Sequence, residues 1–262
     1  MSVVEFDSNQ LLYLISSYLL PLTRILGIFS SAPLYGNRAI PISIRVAIAN
    51  VINFLLVPNL PAIIEIDPLS WHGSLIVLKE FILGISIGFV MRLIFTGLEL
   101  AAEMISMTMG LGFATFFDPH SEGRSSALSQ LLNALGMLLL VSSDLHLLLI
   151  EYLASSFNTL PIGGSGLTQA SFKQLAYWGS HIFAIGMQLS LPLITTLLIS
   201  NMALGILTRA APQLNLFGIG FPVNLIIAMI MLKLVMPYWA IPLLTTLEQG
   251  LDLIAHLIGS GF

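Results

Sequence analysis

The chain has 262 residues, of which 56% are hydrophobic and 8% charged, with a formal net charge of −4. Ordinary soluble domains carry roughly 25% charged residues, so lipid or other apolar subunits must cover much of this surface. Nine basic residues scattered without a patch or stripe argue against a nucleic-acid partner, and the lack of cysteine excludes disulfide scaffolding, thiolate catalysis and cysteine-based zinc sites.

The first residues place Glu5 and Asp7 where a secretory signal carries Lys or Arg, and no small-residue cleavage site follows, so no cleaved signal is expected. Apolar stretches then run over 9–29, 40–57, 72–98, 126–154, 174–205 and 221–244, followed by a weaker amphipathic tail at 245–258. This predicts an all-α integral membrane protein of about six long apolar helices. The second stretch is short and ends at Pro58 and Pro61, and at about 1.5 Å per residue it barely crosses a hydrocarbon core. The third continues from Trp71 almost to Met109 and is long enough to project beyond a bilayer. The run Gly163-Gly164-Ser165-Gly166 reads as a flexible connection, and no linker divides the chain into separate domains.

Basic residues near the span ends set orientation. Arg38, Arg45, Arg124 and Arg209 fall on or beside the first, third and fifth connections. Glu5, Asp7, Glu65, Asp67, Glu248 and Asp252 lie on the other side, with Lys79 and Lys173. Both termini are therefore expected outside the cytoplasm.

Intramembrane charges are costly and should face protein or water. On the third stretch Gly84, Gly88, Arg92, Thr96, Glu99, Glu103, Ser106 and Gly110 recur at steps of three and four, making one stripe. Its glycines permit close helix contact, and Arg92, Glu99 and Glu103 are placed to pair with one another or with a neighbouring helix. On the fourth stretch Ser126, Ser129, Asn133, Asp144 and Glu151 share a face, with His146 pointing elsewhere. An interhelical seam and a wetted pore wall or proton path both fit this polar stripe of Arg92, Glu99, Glu103, Asp144 and Glu151. Pro21, Pro192 and Pro237 interrupt apolar stretches, as they do in transporters and in bent scaffold helices alike.

Between the third and fourth stretches the chain reads MTMGLGFATFFDP, an apolar loop. Met107, Met109, Leu111, Phe113, Phe116 and Phe117 supply adaptable and water-excluding side chains, while Gly110 and Gly112 loosen the backbone. Connections between such spans are usually short and polar, and this one is apolar. No Walker loop, HExxH, GxSxG or dinucleotide fingerprint occurs, and no histidine has a second ligand at metal spacing. Neither catalysis, nor a cofactor, nor a metal site is expected.

Three segments together carry a resemblance: RILGIFSSAPLYGNRAIPISIRVAIA with Arg24, Pro33, Pro41 and Arg45, then MTMGLGFATFFDP, then LGILTRAAPQLNLFGIGFPV from Leu204 to Val223. Their order and spacing resemble the FliR family of bacterial flagellar biosynthesis proteins, whose relatives serve virulence type III secretion. The resemblance implies a non-catalytic subunit of an export gate in the bacterial inner membrane and flagellar basal body, joined to FliP-like and FliQ-like subunits, with an FlhB-like protein at the cytoplasmic side. It implies a FliP-like portion over 1–170, a FliQ-like hairpin and tail over 171–262, and a loop at 107–118 that plugs a channel for unfolded polypeptides. The hairpin would turn at Arg209, Pro212 and Gln213. The alternative is a secondary transporter or ion-channel subunit using the intramembrane charges.

Overall fold

The structure, a computed structural model, describes residues 8–37, 39–61, 67, 68, 70–111, 126–211 and 220–259. Among these residues the chain is helical without strands: α1 (Ser8–Ser31), α2 (Ile42–Leu56), α3 (Trp71–Thr108), α4 (Ala127–Ser142), α5 (Leu145–Thr159), α6 (Gln169–Trp178), α7 (His181–Ala210) and α8 (Phe221–Leu257). Five helical spans are long and apolar enough to cross a membrane, and a sixth results if the bent pair α4 and α5 counts as one. The expected all-α membrane architecture is therefore observed.

Helix limits follow local chemistry. Pro41 stands at the N-cap of α2, and a single 3₁₀ turn, Val57–Asn59, carries Pro58 at its end. Proline lacks the N–H that the next helical turn needs, which explains the shortness of this helix. Arg45 turns back on the preceding connection, donating from Nε to the Ile40 carbonyl at 2.9 Å and from Nη2 to that of Asn37 at 2.7 Å.

The fourth apolar stretch departs from the expected single helix. It bends by 67° between α4 and α5, where Asp144 adopts the left-handed region at φ 57°. Aspartate tolerates that conformation better than most residues, and a side-chain oxygen competes with helical continuation. The tail behaves differently from a separate element, because α8 continues through Pro237 and Pro242 to Leu257. Leu247, Leu251, Ile254 and Ala255 are buried there, while Glu248 and Asp252 are exposed.

Two compact units divide the chain. One comprises Met1–Leu93, Ser143–Gly179 and Leu247–Phe262; the other comprises Ile94–Ser142 and Ser180–Thr246. Within the first, α1 meets the first half of α3 through small residues. A β-carbon at Gly27 would lie 2.5 Å from the Phe81 carbonyl oxygen, and one at Gly88 would lie 2.2 Å from Ser31 Oγ. Trp178 of α6 donates from its indole nitrogen to the Val90 carbonyl at 3.2 Å. Within the second, Gly97 faces Ile182 and Ile185 of α7, and Gly136 of α4 faces Phe95 and Leu98 of α3.

Candidate functional site

The most deeply enclosed charges are Arg24 on α1 and Glu80 on α3, with side chains 0% and 1% exposed and Nη2 to Oε2 at 2.6 Å. Arg24 Nε donates to the same carboxylate oxygen at 2.7 Å. Its Nη1 donates to the Ser156 carbonyl at 2.9 Å and to Ser156 Oγ at 3.0 Å, and Nη2 donates to the Leu160 carbonyl at 2.8 Å. The guanidinium also lies over the Phe157 ring, 4.3 Å from its centroid. One cation thus joins α1, α3 and the C-terminal end of α5. A helix C-terminus leaves carbonyls without intrahelical donors and carries partial negative charge, so a rigid five-donor fork fits it well.

The connection after α5 is held by the same group of charges. Lys79, beside Glu80, donates to the Gly164 carbonyl, while Gly163 and Gly166 take φ values of 81° and 74°. Two glycines of the run thus supply left-handed backbone positions, and Lys79 ties the connection to α3.

A second polar region lies where α3 ends and α4 begins. Glu99 accepts from Asn133 Nδ2 at 2.9 Å. Glu103 accepts from the Ser126 backbone N–H at 3.1 Å and from Ser129 Oγ at 2.8 Å. Ser126 also caps α4, since its Oγ accepts from the Ser129 N–H at 3.1 Å. The carboxylate of Glu103 therefore sits against a helix N-terminus, where aligned peptide dipoles favour negative charge. Ser106 Oγ donates to Ser126 Oγ at 3.2 Å, bringing together the two ends of the stretch 107–125.

Glu99 and Glu103 meet α4 residues of the face inferred from spacing. Arg92 is exposed on α3. Asp144 occupies the exposed bend, and Glu151 is exposed on α5. The 67° bend ends the shared face after α4, because spacing arguments need one uninterrupted helix. Met107, expected in the loop, lies instead in the last turn of α3 and is 71% exposed; beyond the helix Met109 is buried, Gly110 has φ 84°, and the Leu111 N–H donates to the Ser106 carbonyl at 3.0 Å. Gly112, Phe113, Phe116 and Phe117 lie outside the described residues, as do Pro212 and Gln213. Arg209 is exposed in the last turn of α7.

Sequence reasoning did not find the Arg24–Glu80 pair. The signal was one helical turn away: Glu80 precedes Gly84 by four residues and extends the same stripe, and Arg24 is the one charged residue of α1.

Long apolar helices carrying few charges define an all-α membrane protein. Residues 15–250 match the family described as bacterial export proteins, family 1. The chain is 38% identical over 235 residues to the flagellar biosynthetic protein FliR of Escherichia coli (strain K12), covering 90% of each chain. It is 37% identical over 236 residues to that of Pectobacterium carotovorum subsp. carotovorum, again covering 90% of each. With that of Bacillus subtilis (strain 168) it shares 29% over 231 residues, covering 86% of this chain and 87% of the relative. The chain belongs to the FliR family of bacterial export proteins.

Proposed function

We propose that the chain is a non-catalytic subunit of the flagellar protein export gate in the bacterial inner membrane, and that the apolar loop beginning at Met107 closes a channel for unfolded polypeptides. The observation that carries the plug is the neck of that loop. Glu103, Ser106, Ser126 and Ser129 fasten its two ends to α3 and α4, so the segment between them is free to be built for closure rather than for holding helices together. Methionine, leucine and phenylalanine exclude water there, and Gly110 supplies a left-handed backbone position.

Little of the apolar length of α2 and of α8 is buried within the chain. These faces suit lipid and the FliP-like and FliQ-like subunits of the gate, with an FlhB-like protein at the cytoplasmic side. In this reading residues 1–170 form a FliP-like portion and 171–262 a FliQ-like hairpin, with both termini outside the cytoplasm. The transporter alternative draws less support. Glu99 and Glu103 accept hydrogen bonds from Asn133, Ser126 and Ser129 in a seam that links α3 to α4.

Co-expression of the full chain with the FliP-like and FliQ-like proteins, followed by mass measurement of the intact complex, tests the assignment. A hetero-oligomer containing all three is expected; a chain that purifies alone overturns it. For orientation, a cysteine introduced at Gln213 should react with an impermeant thiol reagent only from the cytoplasmic side.

A further inference from the structure

We propose that the exposed face of α8 centred on Lys233 docks against a helix of a neighbouring membrane subunit that presents a carboxylate at the level of Lys233. This rests on the export-gate reading and specifies one of its subunit contacts.

Lys233 is the only charged residue between Phe221 and Leu247. It lies twelve residues from Phe221 and twelve from Thr245, about 18 Å of helix on each side. The half-thickness of a hydrocarbon core is roughly 15 Å. A bilayer centred on this span puts the ammonium near its middle, too deep for a lysine stem to carry it to a headgroup. Sliding the helix to bring Lys233 to an interface would expose Ile226, Met229 and Ile230 to water. These residues are 59%, 56% and 54% exposed in the isolated chain, and they share one face with Lys233 and with Ile241 at 73%.

The opposite face is already used: Asn224, Ala228, Leu232, Trp239 and Leu243 are buried. Among the described residues Lys233 forms no ion pair or side-chain hydrogen bond. The carboxylates on the long apolar helix α3 are engaged, Glu80 by Arg24, Glu99 by Asn133 and Glu103 by Ser126 and Ser129. A charge in the middle of an uncovered apolar face requires an opposite charge and an apolar surround. Both are supplied by an apolar helix with one Asp or Glu from another polypeptide. Lipid tails supply only the surround.

The test uses the co-expressed complex treated with dicyclohexylcarbodiimide, which partitions into apolar regions. A carboxyl group adds with its proton across the carbodiimide to give an O-acylisourea. The neutral Lys233 amine attacks the acyl carbon, the acyl C–O bond breaks to form the amide, and the proton the amine gives up passes to the departing dicyclohexylurea. Peptide mass spectrometry should find Lys233 joined to an Asp or Glu of another subunit. Lys233→Met should lower recovery of the complex at least tenfold while membrane levels of the chain alone equal or exceed those of the parent. Lys233→Arg should retain most recovery. Undiminished recovery of the Lys233→Met complex, absence of the amide in an intact complex, or an amide to Glu151 of a second copy each overturns the docking face. If the parent chain purifies without partners, the export-gate reading falls and this contact falls with it.

Discussion

Gly84 of α3 lies so close to Arg24 of α1 that a β-carbon on Gly84 would stand 2.0 Å from the Arg24 carbonyl oxygen. One turn earlier on α3, Glu80 binds the side chain of that same arginine. Backbone contact and ion pair are therefore one device, since the absence of a side chain at position 84 lets the two helices approach where the charges meet. Replacing Gly84 with Ala should separate the helices and weaken the pair, at a cost toward the upper end of about 1–3 kcal/mol for overpacking. Thermal unfolding of the co-expressed complex in detergent measures this, and an unchanged midpoint contradicts the close contact.

The ion pair makes an asymmetric prediction. Arg24→Leu leaves Glu80 buried without a cation and should destabilise by about 3–5 kcal/mol. Combining Arg24→Met with Glu80→Met removes both charges and should recover part of that loss, limited by the Ser156 and Leu160 carbonyls that Arg24 no longer reaches. Denaturation of the single and double variants under one detergent condition separates the outcomes. A double variant as weak as Arg24→Leu would deny the pairing.

Asp144 holds the bend between α4 and α5 in a left-handed conformation. Asp144→Gly should preserve the fold and stabilise it slightly, by at most about 1 kcal/mol, since glycine accepts this conformation without steric cost. Asp144→Val should destabilise it. An essential proton relay through Asp144 would instead show as lost export with intact stability in Asp144→Gly, read by a motility assay.

Tyr35, in the connection after α1, stacks on Phe29 at 4.6 Å and donates its hydroxyl to the His146 carbonyl at 3.2 Å. Burial pushes its phenol up to about 12. The folded state thus holds the proton more tightly than the unfolded state, so this contribution is complete below the unfolded value near 10 and is lost as pH rises toward 12. Tyr35→Phe should flatten the alkaline limb of a stability–pH curve. An identical limb in parent and variant would place the titration elsewhere.

Much of the helical layout was legible because long apolar runs and their proline boundaries act locally. The extent of α3, from Trp71 to Thr108, follows directly from its uninterrupted helix-compatible run. Spacing put Glu99 and Glu103 on one face of α3, and Ser129 and Asn133 on one face of the next stretch, without saying that those two faces meet. The bend at Asp144 was not legible, because a single residue in an apolar run changes helix direction without changing composition. Nor was the Arg24–Glu80 pair, which joins residues 56 positions apart, since spacing identifies faces of a helix and leaves open which faces meet. The amphipathic tail carried its pattern openly, yet its continuity with α8 through Pro237 and Pro242 depended on packing that no local rule supplies.

In the reading proposed above, the apolar segment that begins at Met107, in the last turn of α3, closes a channel. Removing Gly110 to Phe116 leaves the clasp of Glu103, Ser106, Ser126 and Ser129 in place, so the assembled complex should persist while closure is lost. Phe113→Ala and Phe116→Ala should produce smaller defects, because neighbouring apolar side chains fill part of the gap. The direct measurement is the conductance of purified complexes in planar bilayers, with subunit composition checked by mass on the same preparation. An intact deletion complex with conductance well above the parent is expected; an intact deletion complex that conducts no more than the parent would contradict closure by this segment.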